Sequence, residues 1–181
     1  MTDWSSLVNE LKDALRHRER VSLGEELLMA GMLAESIRRR RWGKPDLIFA
    51  VSPGGEMVAA WLSRRFLGTW KRPIPVRTVV VKTQRIKTAQ GIIIRQAIVD
   101  EENTPLTGNP PDGFKVLLVT DISRSGMTLD AAYRYLVNYY GADRVQMAAL
   151  MCHVNSGTEL ARGFCVVTTD KDVRFEWKEE D

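Results

Sequence analysis

Apolar residues in this chain follow two patterns, and their alternation predicts the architecture. Continuous runs at 47–52 (LIFAVS), 76–82 (VRTVVVK), 116–119 (VLLV), 145–154 (VQMAALMCHV) and 165–169 (CVVTT) suit strands covered on both faces, as in a parallel sheet between helices. Stripes at helical spacing lie between them. Leu7, Leu11, Ala14 and Leu15 mark an N-terminal helix within residues 1–20, over 3–18; Leu27, Ala30, Ala34 and Ile37 mark a second, over 23–37. A helix running from the turn at 53–56 to about Leu67 is the third, and Leu129, Ala132, Tyr133, Leu136, Val137 and Tyr140 form the fourth stripe. Ser22 and Glu25 have the spacing of a capping box, and GKPD at 43–46 breaks the chain before the first strand.

Residues 83–114 differ in kind. Thr, Gln, Lys, Gly, Asn and Pro surround one β-rich run, GIIIRQAIV, followed by NTPLTGNPPDG. A turn-rich segment of this length inside an α/β chain reads as a hood or lid, with room for a hairpin. The expected fold is therefore α/β, with a doubly wound, mostly parallel sheet in one domain spanning 1–181. The chain length suits a single core.

Composition adds mainly exclusions. With 44% hydrophobic residues, 27% charged residues and a net charge of +3, nucleic-acid binding cannot rest on total charge. The basic runs at 38–42 (RRRRW) and 16–20 (RHRER) read first as solvated helix ends, with a phosphate-backbone patch as the lesser alternative. No apolar stretch has the length of a bilayer span, and the polar start MTDWSSLVNE is unlike a signal peptide. The expected location is the cytoplasm, without membrane association. Cys152 and Cys165 lack metal-site spacing and read as buried free thiols.

Candidate chemistry sits at two strand-to-helix turns. After VLLV come Thr120, Asp121 and the turn Ser123-Arg-Ser-Gly-Met-Thr128. Gly126 permits a tight turn, amides of Ser123, Ser125, Gly126 and Met127 can converge, and Ser125 and Thr128 add hydroxyls at a helix N-terminus. Arg124 adds a charge, while Asp121 is placed for sugar hydroxyls or a water-linked metal ion. Taken alone, this turn is open to two readings, a phosphate site or an ordinary βα turn with Asp121 as a cap. GxxxxGK[ST] and GxGxxG are both absent. The second turn, Ser52, Pro53, Gly54 and Gly55, also follows a buried strand and leads into a helix. Two such turns at one sheet edge suggest a ligand with phosphates at both ends.

Together VLLVTDISRSGMTL and AVSPGGEMVAA resemble the two ligand motifs of the type I phosphoribosyltransferases. The resemblance extends, with gaps, from about Val21 to the tail, where TDKDVRFEW is similar to the end of the hypoxanthine and xanthine-guanine branch. It implies that Asp121 and residues 123–128 bind the ribose and 5′-phosphate of phosphoribosyl pyrophosphate, with Asp121 and Arg124 in the catalytic positions. It further implies that Ser52, Pro53, Gly54, Gly55 and Lys82 hold the pyrophosphate, helped by Arg85 or Lys87 in the hood. His153, Val154, Asp172 and Val173 fall at the base, near Phe175 and Trp177. Mg²⁺ is the implied cofactor, with Asp121 as its protein ligand. A homodimer with a role in nucleotide metabolism and purine salvage is implied too, and the helix at 23–37 is a candidate interface.

Departures from the family pattern carry their own expectations. Pro53 replaces a basic residue at a position where the family often has a cis peptide. Because X-Pro bonds adopt cis at least cost, a cis Ser52–Pro53 bond is expected. Thr120 replaces the first of two acids, Arg124 an aspartate that handles the purine N7 proton, Val154 a base-reading lysine, and Asp172 a stacking aromatic. A carboxylate at 172 favours a donor-rich or cationic base. The first functional expectation is Mg²⁺-dependent transfer of a phosphoribosyl group to a purine-like or unusual nitrogenous base, releasing pyrophosphate. The alternative is a non-catalytic regulator of the same fold that senses phosphoribosyl pyrophosphate or a nucleotide and binds RNA or protein. A receiver-type domain fits less well, for want of a second acidic strand end.

Overall fold

Five strands form where the five apolar runs lie, and the β-rich run inside the hood supplies a sixth to the same sheet. The computed structural model describes residues 4–40, 42–104, 106, 110–154, 156 and 163–175. Arg41 and Trp177 lie outside the described residues, as do the side chains of Leu7 and Leu11.

The chain opens with α1 (Trp4–Arg16), a short β1 (Arg20–Val21) and α2 (Leu23–Arg39). The capping box starts α2 as expected: Glu25 N donates to Ser22 Oγ at 3.3 Å, and Ser22 N donates to Glu25 Oε2 at 2.9 Å. Next come β2 (Leu47–Ser52), α3 (Gly55–Trp70), β3 (Val76–Lys87) and β4 (Ile93–Val99). The chain ends with β5 (Val116–Ser123), α4 (Met127–Tyr140), β6 (Val145–His153), β7 (Phe164–Thr169) and β8 (Arg174–Phe175).

Strand order in the main sheet is β4-β3-β2-β5-β6-β7, parallel throughout except for the antiparallel β3–β4 pair. One core cluster joins α2 and α3 to one face through Leu33, Ile37, Val58, Leu62 and Phe66. A second packs Leu129, Ala132, Leu136 and Tyr140 of α4 against the other face. The fold is the expected doubly wound α/β arrangement.

Three details differ from the sequence reading. β3 runs on to Lys87 and pairs with β4 from Val81↔Val99 to Lys87↔Ile93. Much of the hood is thus a hairpin whose backbone groups satisfy one another beyond the edge of the parallel sheet. Ala14 and Leu27 are exposed; the buried residues of α2 are Glu26, Met29, Ala30, Met32, Leu33, Ala34 and Ile37, because the helix is turned to fit the faces of β6, β7 and α3. The same helix leaves Leu23, Leu27 and Leu28 exposed on its other side. Finally, β1 pairs with β8, Arg20 opposite Arg174 and Val21 opposite Phe175. Two-residue strands so far apart in sequence leave no periodic signal, yet this pairing fixes the tail beside the main sheet.

The basic run at the end of α2 is largely spent inside the chain. Arg38 Nη2 and Arg39 Nε each lie 2.7 Å from Glu35 Oε1, and Arg40 stands over the Phe164 ring at 4.6 Å. Hydrogen bonds from Arg38 and then Arg39 lower the Glu35 carboxyl from 4.5 to about 2. A depressed carboxyl stabilises the folded state fully above its unfolded value and loses that contribution as pH falls. Thermal unfolding should therefore show a fall in midpoint between pH 4.5 and about 2 that is smaller in Glu35→Gln. Parallel profiles for the two proteins would rule this out.

Candidate functional site

The helix after β2 packs on one face of the sheet and the helix after β5 on the other, so the chain diverges between two adjacent parallel strands. Their carboxyl ends open a crevice there, the position at which sheets of this kind bind ligands. Both candidate turns lie at that crevice.

Their proximity can be read from glycine. Gly54 has φ +113°, and a Cβ built on it falls 2.6 Å from Asp121 Oδ2. A Cβ on Gly55 falls 2.5 Å from the Val119 carbonyl oxygen. The paired glycines let the first turn lie directly on β5, against the carboxylate that begins the second turn. The Ser52–Pro53 bond is cis, as expected.

Asp121 is 1% exposed. Its Oδ1 accepts from the Ile122 amide at 2.7 Å and from the Thr120 hydroxyl at 3.3 Å. Thr120 thus supplies a donor to the remaining carboxylate at the position where the resemblance implies a second acid. Gly126 has φ +80° and begins α4 as its N-cap, and Met127 N lies 3.5 Å from Ser125 Oγ. The Ser123 hydroxyl is buried and has no hydrogen-bond partner among the described residues.

A cavity of about 300 Å³ unites these groups. Ser52, Pro53, Asp121, Ser123, Arg124, Ser125, Gly126 and Thr128 line it, and Val51, Val81, Thr83, Thr120, Ile122 and Leu129 complete the wall. A larger cavity of about 1100 Å³ lies between α2 and α3, among Leu27, Leu28, Trp61 and Arg64. It is remote from both turns, and the smaller crevice is where the polar groups converge.

Not every predicted residue comes to the crevice. Lys82 alternates with the wall residues Val81 and Thr83, so it points to the other strand face. There it pairs with Asp100, an attraction whose hydrogen bond raises the lysine and lowers the carboxyl. Arg85 and Lys87 lie on the Thr83 side by the same alternation, with Arg95 directly opposite Arg85. His153 Nε2 lies 3.1 Å from the Asp170 carbonyl oxygen. A carbonyl only accepts, so Nε2 carries the hydrogen. Val154 is exposed beyond the end of β6, its amide bonded to the Thr169 carbonyl.

The tail residues reach the cavity through Arg124. Arg124 Nε lies 2.9 Å from Asp172 Oδ1, and Arg124 Nη2 donates to the Val173 carbonyl at 3.0 Å. Val173 itself is fully buried. Two substitutions that read separately as departures are therefore partners in space. The Asp172 carboxylate, read from sequence as suiting a donor-rich or cationic base, has its Oδ1 paired with that guanidinium.

One functional group escaped the sequence reading. Glu56 Oε2 accepts from the Gly54 amide at 2.8 Å, occupying a loop donor that an anionic ligand would use. Its signal was present, an acid in the first turn of a helix entered through glycines. As for metals, no group of three or more His, Cys, Asp or Glu side chains suited to an ion occurs among the described residues.

Comparisons with known proteins agree with this geometry. A family profile described as phosphoribosyl transferase domain matches residues 23–181. The purine phosphoribosyltransferase of Pyrococcus horikoshii superposes with a TM-score of 0.66 at 25% identity, over 91% of this chain and 97% of that one. A hypothetical protein of Neisseria gonorrhoeae solved with bound ppGpp gives 0.72 at 22% identity, over 91% and 92%. The xanthine-guanine-hypoxanthine phosphoribosyltransferase of Helicobacter pylori gives 0.64 at 19%, over 91% and 94%. No curated protein sequence matches the chain.

Close approach of the turns generates a prediction. Gly54→Ala should push the Asp121 carboxylate aside and cost about 1–3 kcal/mol of stability, the usual range for overpacking. Strain at φ +113° adds to that cost, so the contact is isolated by a double-mutant cycle: Gly54→Ala should cost less stability in urea unfolding in an Asp121→Gly background than in the wild type. Equal costs in the two backgrounds would refute the contact.

Proposed function

The chain belongs to the phosphoribosyl transferase family, and from that premise we propose that it moves the 5-phosphoribosyl group of phosphoribosyl pyrophosphate onto a nitrogenous base, releasing pyrophosphate. Contact between Gly54 and Asp121 is the observation that carries this reading, since it brings two phosphate-sized turns to one crevice with a carboxylate between them.

In the proposed arrangement the 5′-phosphate lies on the amides and hydroxyls of residues 123–128, at the N-terminus of α4. Asp121 accepts from the ribose hydroxyls, and the buried Ser123 hydroxyl gains a partner. The pyrophosphate lies against residues 52–55, where it competes with Glu56 for the Gly54 amide. Arg85 and Arg95, on the Thr83 side of the hairpin, meet its negative charge from above. Asp121 is the one carboxylate among the residues lining the cavity, which suits Mg²⁺, an ion commonly held by one or two carboxylates together with substrate oxygens. When bound there, the ion neutralises charge on the departing diphosphate.

Transfer itself asks little covalent help of the protein. As the bond from the sugar carbon to the diphosphate lengthens, positive charge grows on the sugar and negative charge on the leaving group. In the proposed complex the Gly54 amide, released by Glu56, faces the leaving diphosphate, and the Asp121 carboxylate faces the sugar. The turns hold the sugar in position, and the hairpin limits access of water.

A second reading is supported by Thr120 and Arg124: loss of one acid and gain of a guanidinium suit a regulator that holds the same ligand, or a nucleotide, without transfer. Calorimetric titration with phosphoribosyl pyrophosphate, with and without Mg²⁺, tests the shared binding site. Binding strengthened by the ion should fall at least tenfold in Asp121→Ala and in Gly126→Val, whose side chain is strained at positive φ. Pyrophosphate release with a base then separates enzyme from regulator. No binding of phosphoribosyl pyrophosphate to the wild-type chain would sink the enzyme reading and leave a nucleotide-binding regulator, to be sought by titrating nucleotides.

A further inference from the structure

Glu56 occupies the first turn of the crevice with an anion of the chain's own. Its Oε2 accepts from the Gly54 amide at 2.8 Å; Gly54 and Gly55 are buried, and Glu56 itself is half-buried. A buried amide without an acceptor costs as much as a lost hydrogen bond, so that donor is held either by Glu56 or by a ligand. Little else in the turn attracts an anion. Pro53 has no N–H, Lys82 faces away and pairs with Asp100, and a Cβ on Gly54 would lie 2.6 Å from Asp121 Oδ2. Gly54 is thus in contact with two carboxylates, one at its amide and one at its α-carbon.

We propose that Glu56 determines which anions the first turn accepts: a phosphate tethered to a group seated on the second turn displaces it, and a free anion is held off. This inference rests on the proposed function, because it sets the selectivity of the pyrophosphate position in that same crevice. The Gly54 amide has one hydrogen to donate, so the closed and ligand-bound forms exclude one another. Apparent affinity then falls in proportion to the fraction of molecules in which the donor is free. A ligand anchored elsewhere overcomes that penalty, because a short tether holds its second group at an effective concentration of about millimolar. Phosphoribosyl pyrophosphate, with its 5′-phosphate on residues 123–128, is anchored in this way. Inorganic phosphate and free pyrophosphate are not.

Selection of this kind bears on release of the product. In the proposed transfer a base nitrogen forms the bond to the sugar carbon, and the bond from that carbon to the diphosphate oxygen breaks, its electron pair leaving with the diphosphate. The tether is lost in the same step. Pyrophosphate is then an unanchored anion beside a carboxylate of like charge, and the N-terminus of α3 favours the return of that carboxylate. Glu56 retakes the Gly54 amide, and pyrophosphate departs. The residue sets specificity without being catalytic, since it touches a donor of the turn and no reacting atom.

The test titrates the full-length chain, as wild type, Glu56→Gln and Glu56→Ala, with pyrophosphate, phosphoribosyl pyrophosphate and ribose 5-phosphate in the presence of Mg²⁺. Pyrophosphate should bind Glu56→Ala roughly five- to thirtyfold more tightly than wild type, the range for freeing one donor from a charged, partly exposed acceptor. Glu56→Gln, neutral but still an acceptor, should fall between them. Phosphoribosyl pyrophosphate should gain by a similar factor, while ribose 5-phosphate, which does not need the amide, changes by less than about twofold. Without ligand, Glu56→Ala should melt below wild type, because the Gly54 amide loses its acceptor, so the gain in affinity cannot come from a firmer fold. Equal pyrophosphate affinity in wild type and both variants overturns the inference. So does ribose 5-phosphate gaining in step with pyrophosphate, which would make Glu56 a general source of negative charge, and so does weaker pyrophosphate binding in the variants, which would make the carboxylate a support for the ligand. In each of these outcomes, binding of phosphoribosyl pyrophosphate by the wild type leaves the proposed transfer standing. Pyrophosphate binding by the variants alone supports the inference, with the donor occupied in nearly every wild-type molecule. If neither diphosphate binds any of the three proteins, the inference and the transfer reading fall together.

Discussion

The crevice depends on one close approach: the α-carbon of Gly54 rests against the carboxylate of Asp121, where any side chain would stand 2.6 Å from an oxygen. That approach exists because β2 and β5 are neighbours in register, Leu47 opposite Val116 through Ala50 opposite Val119. It persists because their following helices leave to opposite faces, α3 into one core cluster and α4 into the other. Were both helices on one face, their first turns would crowd the space between the strand ends. Divergence opens it, and the amide-rich starts of two helices then face one small volume.

Burying a carboxylate at that point is costly unless its oxygens find donors. The chain supplies them locally, from the Ile122 amide and the Thr120 hydroxyl. A second acid at position 120 would instead add like charge beside a buried carboxylate. Thr120 thus acts as local support for Asp121. On the opposite rim, Arg124 and Asp172 bring opposite charges to a surface shared by the β5–α4 turn and the tail. The tail is held there by the β1–β8 pairing, and by Thr169, whose hydroxyl donates to the Arg16 carbonyl at 2.7 Å. The rim shared by Arg124 and Asp172 is therefore fixed through the N-terminal segment, although no described residue of that segment lines the cavity.

The hood segment, read from sequence with room for a hairpin, contains one, formed by β3 and β4. Its Gly, Asn and Pro content predicts loop, and residues 100–104 do leave the strand as turns. Those turns are anchored: Val80 N donates to Thr104 Oγ1 at 3.0 Å, and Tyr135 Oη donates to the Thr104 carbonyl at 2.9 Å. The rest is strand, because β4 supplies partners for backbone groups of β3 that extend past the parallel sheet. Ile93, Ile94 and Ile98 remain exposed on it.

Local patterning determined the fold class, both turns and the buried face of α4, since each follows from forces acting over a few residues: strand burial, helical periodicity and glycine conformation. Tertiary structure alone decided the rest. Lys82 carries the right charge near the right strand end, yet the two-residue period of β3 turns it toward Asp100 and away from the cavity. Arg124 and Asp172 read as two separate losses of function when taken along the chain. They became one ion pair only when β8 found β1, a contact between distant two-residue strands that no local force encodes and that only the packed sheet could select.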